Sequence, residues 1–105
     1  MRGMSRRGLG LAPEAHRQLA ERWISRAQLR LDAGRRSLDR NDCIDVITQI
    51  RHAADDIGAA RENAQAAPAS VRDSLLRRVR QLDIELDELL YDLDARAAHT
   101  CRWGG

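Results

Sequence analysis

The sequence predicts an all-α protein: an antiparallel three-helix bundle whose core is completed by oligomerisation. Three observations carry this expectation. Apolar residues make up 43% of the chain, yet it holds only two Trp, one Tyr and no Phe. A core must then be built from Leu, Ile, Val and Ala, which suits packed helices better than sheets. Three stretches repeat apolar residues at alternating spacings of three and four, the period of one helix face. Two short breaks rich in turn formers or Pro separate those stretches. At 105 residues the chain suits one small domain rather than two.

Residues 1–10 hold three Gly and three Arg without apolar periodicity and read as a flexible basic tail. Helical pattern begins at Pro13, a favoured first-turn residue, followed by Glu14 at the positive end of the helix dipole. Ala20, Trp23, Ala27, Leu31, Gly34 and Leu38 form the stripe, widened by Ile24, so the first helix is expected over about 13–38. Asp39-Arg40-Asn41-Asp42 supplies turn formers and an N-cap. The second helix, about 42–65, carries Cys43, Val46, Ile50, Ala53, Ile57, Ala60 and Ala64, and its small residues permit close helix approach. Ala66-Ala67-Pro68 breaks the pattern, because Pro disfavours a helical residue before it. Ser70-Val71-Arg72-Asp73 reads as a variant capping box. The third helix, about 70–98, carries Leu75, Val79, Leu82, Leu86, Leu89, Leu93 and Ala97. The single domain thus spans 11–100, and 101–105 is a tail. Helices of about 25 residues are about 38 Å long, so such a bundle is slender, and its broad apolar stripes point to at least a dimer.

The charge is +2 overall, but residues 1–52 carry eleven Arg against six acids and 53–105 carry seven Arg against ten acids. An anion-binding face is therefore expected in the N-terminal half. All eighteen basic residues are Arg, which suits bidentate phosphate contact but also follows from a GC-rich coding genome. Arg22, Arg26, Arg36 and Arg40 share one side of the first helix, and Arg30 lies four residues beyond Arg26. These five are the candidate nucleic-acid-binding residues. A solvated face paired with acids of a neighbouring helix is the plainer alternative.

Two Cys without a secretory apolar region suggest a reducing, cytoplasmic setting. No segment approaches the roughly 20 apolar residues of a membrane span, so no membrane partner is expected. No nucleophile with an adjacent base, Gly-rich phosphate loop, HExxH or CxxC is present, and the chain reads as a non-enzyme. His52 lies nearly opposite Cys43 on its helix and suits a surface or interface role. The acidic run from Asp83 to Asp94 reads as a solvated face or as the complement of the Arg stripe in an oligomer.

Antiparallel helices bring Cys43, His99 and Cys101 to one end of the bundle. Thiolates with an imidazole would suit Cu(I), so these three are the candidate metal or reactive-thiol residues. A redox pair of the two Cys is a second possibility. A buried Cys43 with an unpaired tail thiol at Cys101 is the plain one. At a helix N-terminus a Cys43 thiolate is favoured by the dipole.

The segment Cys43-Ile44-Asp45-Val46-Ile47-Thr48-Gln49-Ile50 resembles the start of the second helix in the copper-sensitive operon repressor family, which also has nickel-, persulfide- and formaldehyde-responsive members. Arg26-Ala27-Gln28-Leu29-Arg30 looks like a degenerate form of that family's first-helix Arg/Gly/Gln stretch. The resemblance covers residues 16–65 and is specific only around Cys43. It implies a helical repressor without a helix-turn-helix, dimeric or tetrameric, binding operator DNA through basic surfaces and sensing a metal or thiol effector through Cys43. The family's copper sensors place a His and a second Cys further along the second helix, where this chain has Pro68 and Arg72. The alternatives in other classes are a helical protein–protein interaction module without a metal or DNA role, and a Cu(I) storage or delivery protein using Cys43, His99 and Cys101.

Overall fold

The computed structural model describes residues 11–97 and 99–101. The expected 1–10 tail, Trp103 and the rest of 102–105 lie outside the described residues. The fold is all-α: α1 (Pro13–Asp39), α2 (Cys43–Gln65) and α3 (Ala69–Ala97), with no strand among the described residues. Consecutive helices are antiparallel, so α1 and α3 run the same way. His16 near the start of α1 bonds Asn63 near the end of α2, and Arg61 of α2 pairs with Asp83 of α3.

Local chemistry sets each boundary. Pro13 occupies the first turn of α1, where the missing N–H costs nothing, and the Ala12 carbonyl accepts from Ala15 and His16. The other end of α1 closes in a Schellman arrangement: Asp42 N–H bonds the Ser37 carbonyl and Asn41 N–H bonds the Leu38 carbonyl, both at 2.9 Å. That motif needs a left-handed residue, which Asn tolerates best after Gly, and Asn41 has φ 59°. Asp42 then caps α2 by accepting from Asp45 N–H at 3.2 Å. The expected capping box at Ser70 is not what starts α3. Ser70 already lies inside the helix, and the Pro68 carbonyl takes the first N–H groups, from Val71 and Arg72.

The stripes form one core. Ala20, Ile24, Ala27, Leu31 and Leu38 of α1 are buried with Val46, Ala53, Ile57, Ala60 and Ala64 of α2. Leu75, Val79, Leu82, Leu89 and Leu93 of α3 close over them. α1 packs far more extensively on α2 than α3 packs on either, because Ala at recurring positions lets two backbones approach. Gly34 extends that small-residue series toward α3: a Cβ there would lie 2.8 Å from Leu89 Cδ2 and 3.5 Å from Gln49 Cβ. Trp23, Ile50 and Leu86 sit at the edge of the core, half-buried.

The flank where α1 meets α2 is polar at heptad spacing. His16 Nδ1 donates to Asn63 Oδ1 at 2.8 Å, and Ser37 donates to Asp45. Between these ends, Asp56 is only 6% exposed, with Oδ2 unpartnered, and Gln49 Oε1 is likewise buried without a partner. Such atoms cost stability but discriminate against slipped pairings.

Candidate functional site

The outward face of α1 is built by the stripe that buries its opposite side. With Ala20, Ala27, Leu31 and Leu38 turned inward, the helical period turns Arg22, Arg26, Leu29 and Arg36 outward, and all four are exposed. Arg40, at the C-cap, is exposed as well and donates to Ser37 Oγ at 3.2 Å. Arg26 stacks on Trp23, its Cζ 4.9 Å from the ring centroid, a cation–π contact that holds the guanidinium while leaving its edge to solvent. Leu29, 67% exposed, sits at the centre of the strip.

Charge pairing separates this face from the flanks. Arg17 pairs with Glu14 and Glu21, and Arg35 lies 3.6 Å from Glu88 and 3.8 Å from Asp92 of α3. Neither Arg22, Arg26 nor Arg36 has an acidic partner among the described residues. The acids of α3 therefore pair with the flank of α1 and not with its outward stripe. The hydrogen bond from Arg17 holds the Glu14 carboxyl below its ordinary range. Arg30 departs from the expected set. It is half-buried and shares its heptad position with His16 and Ser37, which bond α2, so it belongs to the α2 flank. The stripe spans about 21 Å from Arg22 to Arg36 at 1.5 Å per residue.

The second constellation lies at the end of the bundle away from Pro13. Cys43, the first residue of α2, and Cys101, just beyond α3, form a disulfide with Cα atoms 5.5 Å apart. Cys101 is thus covalently tied to the bundle, where the sequence expectation left it in a tail. Cys43 is completely buried and Cys101 half-buried. Arg96 reinforces the closure, with Nη1 donating to the Leu38 carbonyl at 2.7 Å and to Asn41 Oδ1 at 3.1 Å. His99 and Thr100 turn back through N–H bonds to the Arg96 carbonyl, and His99 is exposed.

With both sulfurs in the disulfide, neither offers the thiolate that a soft metal needs. The Cu(I) set of Cys43, His99 and Cys101 exists only in a reduced chain, and among the described residues no group of three or more His, Cys, Asp or Glu side chains is placed to hold a metal. At the same end of the bundle runs an open groove of about 760 Å³, walled by Arg35, Asp39, Asp92, Arg96 and the two residues before Cys101, His99 and Thr100, among others. Sequence reasoning missed this groove and the Arg96 clamp, because both depend on side chains from α1 and α3 meeting across the bundle. No helix among the described residues is long and apolar enough to cross a membrane. No family model, curated protein or solved structure matches the chain.

Proposed function

We propose that the chain is a small helical regulator that binds duplex DNA through the outward face of α1 and responds to a thiol-active effector at its Cys43 end. The observation that carries this reading is the unpaired outward stripe: Arg22, Arg26 and Arg36 face solvent without acids, while Arg17 and Arg35 on the flanks are paired. An arginine row of about 21 Å matches the rise of about six base pairs, and guanidinium groups on one face of a helix suit phosphate contact. The resemblance around Cys43 to the copper-sensitive operon repressors supports the same reading, and in a reducing compartment the Cys43–Cys101 bond would be a redox-responsive one. Assembly into a dimer or tetramer would set two or more such faces along one duplex.

The test is anisotropy of a labelled random-sequence duplex against salt. Wild type is expected to bind at low salt with affinity falling steeply as salt rises. Arg22→Ala/Arg26→Ala/Arg36→Ala should weaken binding and lower the salt slope by about 2 to 3. Arg77→Ala/Arg80→Ala, at exposed positions of α3, serves as the control. No binding at low salt, or equal loss in both variants, sinks the assignment of the face.

One observation favours a second reading, a module for a helical protein partner. The outward face of α3 shows Tyr91, 75% exposed, and Ile84, with Asp87 and Glu88 between them. Light scattering and co-purification with a defined partner, in the absence of DNA affinity, would favour it.

A further inference from the structure

The two sulfurs of the disulfide are not equivalent. Cys43 Sγ belongs to a fully buried residue at the first turn of α2, while Cys101 is half-buried and follows His99 and Thr100, two residues of the groove wall. Thiol–disulfide exchange depends on which sulfur is reachable and which makes the better leaving group. The first criterion sets the direction here. Cys101 keeps partial exposure and Cys43 has none, while the helix N-terminus offsets part of the burial cost of a departing Cys43 thiolate.

We propose that Cys101 is a thiol-modification site, and that the groove walled by the two residues before it admits a small zwitterionic thiol of the amino-acid or short-peptide type. The thiolate of such a molecule attacks Cys101 Sγ, the Cys43–Cys101 bond breaks, and its electron pair leaves on Cys43 Sγ. The product is a mixed disulfide on Cys101 and a thiolate on Cys43. A second equivalent of the thiol attacks the external sulfur of that mixed disulfide and releases the oxidised small disulfide, leaving Cys101 reduced. Two thiols thus supply the two electrons and two protons.

Charge in the groove selects the ligand class. Arg35 and Arg96 offer donors for a carboxylate: the bonds of Arg96 to Leu38 and Asn41 use Nη1 alone, and the contacts of Arg35 with Glu88 and Asp92 are long. Asp39 and Asp92 in the same wall suit an ammonium. A neutral thiol finds neither pair useful. The inference rests on placing an effector at the Cys43 end, not on DNA binding, so the two readings fail separately.

The experiment treats the oxidised full chain with cysteine, cysteamine or 2-mercaptoethanol at equal thiolate concentration, with free thiols then alkylated and the tryptic peptides weighed. Cys43 and Cys101 fall in different peptides, 41–51 and 97–102. The expected result is the small-thiol adduct on the Cys101 peptide and alkylation on the Cys43 peptide. Cysteine should react roughly five- to tenfold faster than 2-mercaptoethanol, which lacks both exposed ion pairs, and about two- to threefold faster than cysteamine, which keeps the ammonium. Arg35→Gln should remove about half of the advantage over 2-mercaptoethanol on a logarithmic scale without touching the Arg96 clamp. An adduct on Cys43, adducts on both sulfurs, no adduct on the folded chain, or rates that follow thiolate concentration alone would each overturn the proposal.

Discussion

Arg96 Nη1 donates to Oδ1 of Asn41 at 3.1 Å, so the last turn of α3 grips the single left-handed residue that ends α1 among the described non-glycine positions. The bond sits beside the Cys43–Cys101 disulfide and shares its task of holding the end of α3 onto the α1–α2 turn. Each half of this closure can be removed separately.

Asn41 serves twice, through its backbone and through its side chain. Asn41→Gly relieves the positive φ and loses only the bond from Arg96, whereas Asn41→Ala loses that bond and keeps a Cβ in the left-handed region without the polar side chain that lets Asn tolerate it. Urea unfolding is expected to show a loss of about 1 kcal/mol or less for the Gly variant and about 1 to 2 kcal/mol for Ala. An Ala variant as stable as the Gly variant would remove the backbone role.

The disulfide closes a loop with a sequence separation of 58, and its chief effect is on the unfolded chain. Cys101→Ser should lower unfolding free energy by about 2 to 4 kcal/mol, close to the roughly 4 kcal/mol that loop entropy sets for this length. Reduced wild type should match the variant. Equal stability of oxidised wild type and Cys101→Ser would mean that the crosslink constrains nothing.

Asp56 is a buried carboxylate with one oxygen unpartnered. Asp56→Asn keeps the shape and removes the charge, so a gain of about 1 kcal/mol is expected in thermal or urea unfolding. A loss of that size would show that Asp56 holds a partner through its charge.

At Gly34 a new Cβ would meet the end of the Leu89 side chain, which can turn aside, whereas a branched side chain would also press on Gln49. Gly34→Ala is expected to change stability by less than about 1 kcal/mol, since helix propensity offsets crowding. Gly34→Val should cost about 2 kcal/mol or more. Calorimetry that ranks the two variants equally would contradict the close approach of α1 and α3.

Glu14 is exposed, with its carboxyl held below the ordinary range by the hydrogen bond from Arg17. A carboxyl depressed in the folded state adds stability above its unfolded pKa, and that contribution is lost as pH falls through the folded value. Glu14→Gln should therefore differ slightly from wild type at neutral pH and converge with it in acid. Divergence in acid would reverse the sign.

By itself the sequence determined the fold class and the inward stripe of each helix, because a 3.6-residue period and its Pro and Asn breaks are local properties. It also ordered the ends: three helices joined by short turns must bring Cys43 near whatever follows α3. The flanks were beyond its reach. A helix period says which residues oppose the core, but not on which side of α1 the second and third helices lie, so Arg30 and Arg26 look equivalent until Ser37 and His16 are seen to bond α2. The same holds for Cys101, whose bond to Cys43 requires two sulfurs meeting in space, and for the groove that Arg35 and Arg96 share. Tertiary structure alone decided how Arg35 is paired and that Cys101 is tied to Cys43, since both depend on distances between residues more than fifty positions apart.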